Sequence, residues 1–380
     1  MGGRADRRGS GGGGAGRTRS ARAGGVSAGD PRPVLVTGGA GFIGSNIADR
    51  LASEGHDVIV YDSLARPGVE RNLGWLEERH GQRIEAMIAD MGDAAPLKDA
   101  VGRCKAVFHM AAQVAVTTSL TDPAADFAVN ALGTFNLLEA ARRCATPPPV
   151  IFASTNKVYG GLEDIDFALD GDRYVPQDAA IAAHGIGEAR PLDFHTPYGC
   201  SKGAADQYVL DYGRSFGVPT AVLRMSCIYG QRQMGTEDQG WVAHFLISAL
   251  EGRPITLYGD GFQVRDILDV GDAVDAYLSL WRNIHALPGR VFNLGGGIDN
   301  AVSLRQLIRH IGDYLGHPIE IEAADWRAGD QRYFVADTRA LYSAIGPRTR
   351  KPWRQGVADL ADWLMRQRAE AAPARIAERA

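Results

Sequence analysis

The sequence predicts an α/β protein built on a doubly wound parallel sheet, and three observations carry that reading. Short unbroken Val/Ile runs alternate with helical patterns from Pro33 onward. A glycine turn, Gly38, Gly41 and Gly44, ends the first run and opens the first helix. An acidic residue, Asp62, ends the second run, roughly 20 positions further on. Runs that are apolar on both faces belong to strands covered by helices above and below, which is the setting of a parallel sheet.

Taken in order, "PVLVTGGAGFIGSNIADRLASEG" reads as strand, glycine turn and helix, and "HDVIVYD" as a second strand. "IEAMIAD" and "AVFHMAA" give the third and fourth. "PAADFAVNALGTFNLLEAARRC" is a long helix in which Phe127, Leu132, Phe135 and Leu138 recur at helical spacing. "PVIFAST" is the fifth strand and "TAVLRMSCIYG" the sixth. Residues 161–196 form an insertion long enough to predict a functional role, here a lid beside the site. After about Gly230 the alternation loosens into short strands and amphipathic helices, among them "SLRQLIRHIGDYLG" and "GVADLADWLMRQR". The expected domains are therefore 32–230, with the insertion 161–196, and a smaller, partly interleaved α/β unit over 231–370.

Residues 1–31 are of different composition, a Gly/Arg/Ser/Ala segment with Val26 its one bulky apolar residue after Met1. Such a segment buries too little surface to offset its ordering entropy and is expected to be disordered. Its Arg pair is followed by no apolar stretch of the kind an export signal carries. A formal net charge of −4 argues against nucleic acid as partner. No apolar run approaches the roughly 18 residues of a membrane span. Cys104, Cys144, Cys200 and Cys227 are far apart, which predicts neither a disulfide framework nor a zinc site, and points to a reducing cytoplasm.

Glycines in the turn let the backbone approach a pyrophosphate, whose charge the helix N-terminus favours. Asp62 is placed to accept from ribose hydroxyls and to repel a 2′-phosphate, so the predicted cofactor is NAD and not NADP, although Arg66 lies nearby.

"TPYGCSKGAADQY" sets Tyr198 and Lys202 four apart, on one face of a helix. Such a pair arises by chance in many chains. Beside a dinucleotide site it has a chemical use, because cations near a phenol favour phenolate. Lowering a phenol from about 10 to about 7 takes roughly 4 kcal/mol, within reach of two nearby positive charges. Tyr198 would then serve as a general base.

"VTGGAGFIGSN", "HMAAQ", "STNKVYG" and the Tyr-x-x-x-Lys pair together resemble the extended short-chain dehydrogenase/reductase family, over residues 33 to about 365. The likeness implies a Rossmann-type fold and a catalytic set of Thr155, Tyr198 and Lys202, with Lys202 also on the nicotinamide ribose. It implies NAD contacts at Phe42, Ile43, Asp90, Met91, Ala111, Gln113 and Asn130, beside Gly38, Gly41, Gly44 and Asp62. Longer runs, "SLARPGVERNLGWL", "LDFHTPYGCSKGAADQYVLDY", "DQGWV" and "QVRD", are similar to family members that epimerise carbon 2 of a CDP-linked 3,6-dideoxyhexose. The related 4,6-dehydratases carry an Asp-Glu pair after the threonine, where this chain has Asn156 and Lys157.

On this likeness a nucleotide-diphosphate sugar is the expected partner. Its diphosphate is assigned to Arg265 and Arg332, with Gln231 and Arg232 in reach. The sugar is assigned to Gln113, Thr155, Asn156 and Ser226. The likeness also implies a homo-oligomer, dimer or tetramer, joined through two helices. A carbon 4 epimerase on the same scaffold and a non-catalytic dinucleotide sensor are the alternatives. An intact Thr155, Tyr198 and Lys202 set counts against the sensor, which has no need of it.

Overall fold

The computed structural model describes residues 30–327 and 329–377. Residues 1–29, and with them nearly all of the expected disordered tail, lie outside the described residues. Seven strands form the main sheet: β1 (Val34–Thr37), β2 (Val58–Asp62), β3 (Ile84–Ile88), β4 (Ala106–His109), β5 (Val150–Thr155), β6 (Thr220–Met225) and β7 (Arg290–Leu294). Their order is β7-β6-β5-β4-β1-β2-β3, and every pairing is parallel. The order reverses between β1 and β4, so the carboxyl ends of those strands open a crevice at the switch point.

Helices cover both faces: α1 (Phe42–Ser53), α2 (Val69–His80), α3 (Ala94–Arg103), α4 (Gly133–Arg142), α5 (Thr196–Phe216) and α6 (Val270–Arg282). One apolar cluster joins the sheet to α1, α2 and α6 around Ile47, Leu51, Tyr277 and Trp281. The other joins it to α3, α4 and α5 around Leu97, Leu137, Leu138, Val209 and Leu210. The central strands are buried along their whole length, which is why they read as unbroken apolar runs.

The run "TAVLRMSCIYG" makes two strands instead of one. β6 ends at Met225, and Cys227–Tyr229 pairs in a second sheet with Val264–Asp269. Val264–Asp269 also pairs antiparallel with Ala301–Ser303 and parallel with Tyr333–Phe334. Ser226 is the crossing point, its N–H on the Leu294 carbonyl at 2.8 Å. The chain then returns to the main sheet for β7, so the two sheets share a connected backbone.

Two expectations fail here. The insertion is no lid: none of residues 161–196 lines the large cleft at the strand ends. Its hairpin (Phe167–Asp170 and Arg173–Pro176) and Ile186 pack outward, on Tyr333, Phe334 and Ala336, because Leu162, Ile165 and Phe167 find apolar partners there. The stripe Phe127, Leu132 and Phe135 does not face the core either. All three are exposed and only Leu138 is buried. Residues Ala128–Leu132 form a π-helical turn, which adds a residue to the turn and rotates the next helical residues off the 3.6-residue stripe.

Candidate active site

A cleft of about 1270 Å³ runs along the carboxyl ends of the strands. Ordinary small-molecule pockets span roughly 300–1,000 Å³, so this one has room for two ligands end to end.

One end is built from the glycine turn. Gly38 has φ +66°, and a Cβ there would lie 2.6 Å from the Ala111 nitrogen. A Cβ on Gly44 would lie 2.1 Å from the Gly38 carbonyl oxygen. Only glycine permits this approach of α1 to the strand ends. α1 starts after Gly41 with no side-chain cap, so its first N–H groups are left for a ligand. Asp62 is held by two backbone donors, Ala40 N–H at 3.0 Å and Leu64 N–H at 2.9 Å, one on each oxygen. Asp90, Met91 and Ala111 line the same end. Gln113 also lines it, and its buried side-chain oxygen has no hydrogen-bond partner. Asn72, Gln233 and Gln263 also border the cleft, and each has a buried side-chain oxygen without a partner. Buried acceptors of this kind are costly unless a donor reaches them. A glycine cradle, free helix N–H groups, an anchored carboxylate and the orphaned Gln113 acceptor fit a dinucleotide with its ribose hydroxyls.

Tyr198, Lys202 and Thr155 line the same cleft. α5 presents Tyr198 and Lys202 inward from successive turns, both buried. The Thr155 hydroxyl lies beside the Tyr198 phenol, close enough to ease its ionisation, and donates to the Asn156 side-chain oxygen at 3.4 Å. It also caps the short turn Asn156–Tyr159, accepting from Lys157 N–H at 3.2 Å. Lys202 Nζ donates to the Ala153 carbonyl at 2.6 Å and stands 4.1 Å from the centre of the Phe152 ring. Behind α5, Asp126 accepts from Ser201 and from Asn130 Nδ2, the latter at 3.1 Å.

The expected acidic phenol is absent from the protein alone. Burial pushes Tyr198 up to about 12, against the opposing hydrogen bond from Thr155, with Asp126 adding to the rise. Burial pushes Lys202 down to about 7. Desolvation favours the uncharged form of each. His109 sits behind the site between the Thr37 and Thr134 hydroxyls at 2.7 and 2.9 Å, and burial holds it down at about 3, a neutral packing residue.

The other end of the cleft is lined by Ser226, Trp241, Tyr258, Arg265, Arg327 and Asp330. Arg265 donates to Asp330 at 2.6 Å, and Arg327 lies 3.9 Å over the Tyr258 ring. Ser226 gives its hydroxyl to Asp266. Asn156 is fixed by Gln331 at 3.2 Å. Arg232 lines the cleft near the glycine turn, its guanidinium 3.8 Å over Trp75.

Three expected contacts are not on the cleft wall. Asn130 is buried behind it, its amide spent on Gln113 N–H and C=O at 3.0 Å each, so it positions Gln113 instead of touching a ligand. Gln231 points outward, since the chain reverses through a left-handed Arg232 at φ +71°. Arg332 is exposed and lies against Tyr174, 5.7 Å from the ring centre. Sequence reasoning missed Arg327, Asp330 and Lys157 as lining residues; charge in the segment "DWRAGD" was the available signal.

A model of the NAD dependent epimerase/dehydratase family matches residues 34–295. The chain is 42% identical to CDP-paratose 2-epimerase of Salmonella typhi over 338 residues, covering 87% of this chain and 98% of that protein. The fold is similar to Thermus thermophilus UDP-glucose 4-epimerase in complex with NAD, with TM-score 0.72, 31% identity and coverage of 87% and 98% of the two chains. It is also similar to the dTDP-glucose 4,6-dehydratase DesIV of Streptomyces venezuelae with NAD bound, with TM-score 0.75, 26% identity and coverage of 89% and 98%.

Proposed function

The chain belongs to the NAD dependent epimerase/dehydratase family, with NAD as its cofactor, and we propose that it inverts carbon 2 of CDP-paratose to give CDP-tyvelose. The observation that carries this reading is that Thr155 and Tyr198 line the same cleft as the glycine turn and the cations Arg265 and Arg327. The 42% identical relative supports the choice of sugar and nucleotide. Asn156 and Lys157 support epimerisation over dehydration, since an amide and an ammonium cannot replace two carboxyl groups in eliminating water.

In the proposed cycle Arg265 and Arg327 bind the diphosphate, forked donors suited to that anion. Ser226, Asn156 and Gln113 face the sugar. Gly38, Gly41, Gly44, Phe42, Ile43, Asp62, Asp90, Met91 and Ala111 hold the dinucleotide. Bound NAD supplies the hydride acceptor and a positive ring that offsets the burial of Tyr198. Tyr198 takes the proton of the carbon 2 hydroxyl and returns it to the ketone oxygen. Thr155 keeps that oxygen within reach of the phenol in both directions. Lys202 positions the ribose beside the base. Inversion requires the keto sugar to turn its other face while the nucleotide stays fixed, so the grip belongs at the diphosphate and not at the sugar.

Substrate carrying deuterium at carbon 2 tests this. Turnover is expected to slow relative to unlabelled substrate, and the epimer is expected to keep the label at carbon 2 by NMR. Exchange of the label into water would reject hydride transfer, and slowing by deuterium at carbon 4 instead would favour a 4-epimerase.

The proposal includes a homo-oligomer. Phe127, Leu132, Phe135, Tyr208 and Phe216 are exposed on neighbouring helices, with the Phe135 and Tyr208 rings 5.9 Å apart. Exposed aromatic groups of this extent mark a contact surface. The wild type is expected to sediment as a dimer or tetramer, and Phe127→Glu with Phe135→Glu as a monomer. A monomeric wild type would refute the interface. Four free thiols accord with a cytoplasmic setting, and the activity suits polysaccharide biosynthesis. Among the described residues no helix is long and apolar enough to cross a membrane.

A further inference from the structure

The epimerase reading leaves open which residue decides the carbon that reacts. Lys157 has no part in the proposed cycle, yet it lines the cleft two positions beyond Thr155. Its N–H donates to the Thr155 hydroxyl. Its ammonium donates to the Gly329 carbonyl at 3.1 Å and stands 3.9 Å from Oδ1 of Asp330. That same oxygen accepts from Arg265 at 2.6 Å. Lys157 therefore reaches from the proton-transfer pair, where its main chain is tied, to the arginine assigned to the diphosphate, whose counter-ion it shares. Its side chain is only 24% exposed. Burial holds the ammonium below the usual lysine range, so it is a cation short of solvation.

In a nucleotide sugar the diphosphate is joined to carbon 1. The carbon 2 hydroxyl is on the adjacent carbon, whereas carbon 4 lies across the ring. An enzyme that oxidises carbon 2 must hold the sugar-proximal phosphate close to its base. One that oxidises carbon 4 must hold it a ring's width away. A cation anchored to both Thr155 and the Arg265 counter-ion meets the first requirement.

We propose, resting on the epimerase reading, that Lys157 is a specificity-determining residue whose ammonium binds the sugar-proximal phosphate beside Thr155 and Tyr198, so that carbon 2 presents its hydroxyl to the base. Two cations sharing one carboxylate then face the diphosphate. The Arg265 partner takes the end near the nucleoside, and Lys157 takes the end near the sugar.

Lys157→Met keeps the length of the side chain and removes its charge. The NAD-loaded variant and wild type are titrated by calorimetry with the mono- and diphosphates of cytidine, uridine and thymidine, using the base that wild type prefers. The variant is expected to bind the diphosphate about 10- to 100-fold more weakly, as for loss of a charge-assisted hydrogen bond. Its affinity for the monophosphate is expected to be unchanged. Lys157→Arg is expected to recover most of the diphosphate affinity. Unchanged diphosphate affinity in Lys157→Met overturns the proposal. So does an equal loss for both ligands, which would mean that the side chain only supports the turn at Gly329. If either result accompanies normal carbon 2 turnover in wild type, the epimerase reading stands and this inference alone falls. Wild-type turnover sensitive to deuterium at carbon 4 and not at carbon 2 overturns both.

Discussion

Tyr198→Phe is expected to lower turnover by roughly a thousandfold, the scale of a lost general acid–base group, while the protein keeps its fold and its NAD. The substitution removes one oxygen. The ring stays in its buried place on α5, and the neighbouring Thr155 hydroxyl keeps Lys157 N–H as donor and the Asn156 side-chain oxygen as acceptor. No contact of the glycine turn or of Asp62 involves that oxygen, so bound NAD should be recovered in wild-type amount on denaturing the variant. Turnover is followed by NMR of the two epimers. Activity within tenfold of wild type would remove Tyr198 from the proton-transfer role. With burial pushing the phenol up to about 12, the neutral form dominates at pH 7 when only the protein's own groups act on it. The protein alone therefore does not prepare the base. Burial disfavours the phenolate and the lysine cation together, and a positive ligand beside both must reverse the first shift. The dependence of this base on a resident cofactor is thus a consequence of how deeply α5 is packed.

The parts of the site legible in the sequence are those set by local geometry. The glycine turn is one, since backbone approach can be read from missing side chains. The Tyr198 and Lys202 pair is another, because four residues make about one helical turn whatever surrounds them. The parts that were not legible depend on one-residue choices of direction. Gln331 and Tyr333 are buried, and Arg332, at a bend between them, is exposed. The bend leaves the Arg332 side chain off the cleft wall, and Arg327, earlier in the chain, lines it instead. The left-handed Arg232 turns Gln231 outward in the same way. The π-helical turn over Ala128–Leu132 did this to the helix that follows it, leaving Phe135 on the same exposed side as Phe127 and Leu132. No propensity or period in the sequence marks that extra residue. The sites where pattern reading fails therefore gather around the cleft and the exposed aromatic face.

The second large effect is structural and lies one helical turn past Lys202. Asp206 and Arg224 form a forked ion pair with both contacts at 2.9 Å, and their side chains are 0% and 3% exposed. Ser154 donates to the same carboxylate at 2.7 Å, next to Thr155 in the chain. Arg224 also reaches the Tyr159 hydroxyl at 3.1 Å, which donates to Asn293 on β7 at 2.7 Å. The carboxylate therefore locks α5 to β5 and β6 directly under the Thr155 and Tyr198 pair. Asp206→Ala is expected to cost about 3–5 kcal/mol, because it leaves a guanidinium buried without its counter-charge. At about 2–4 °C per kcal/mol for a large domain, the melting temperature should fall by roughly 10 °C. Asp206→Leu combined with Arg224→Met removes both charges and should recover much of that loss, as apolar replacements of buried pairs do. Calorimetric melting of the three NAD-loaded proteins decides the matter. If the single variant melts with wild type, the pair does not hold the helix. If the double variant melts lower than the single one, the buried guanidinium was not the source of the cost. The double variant's turnover then separates the two duties of the pair: restored stability with lost turnover means that the carboxylate also aligns Ser154, and through it Thr155, with the phenol.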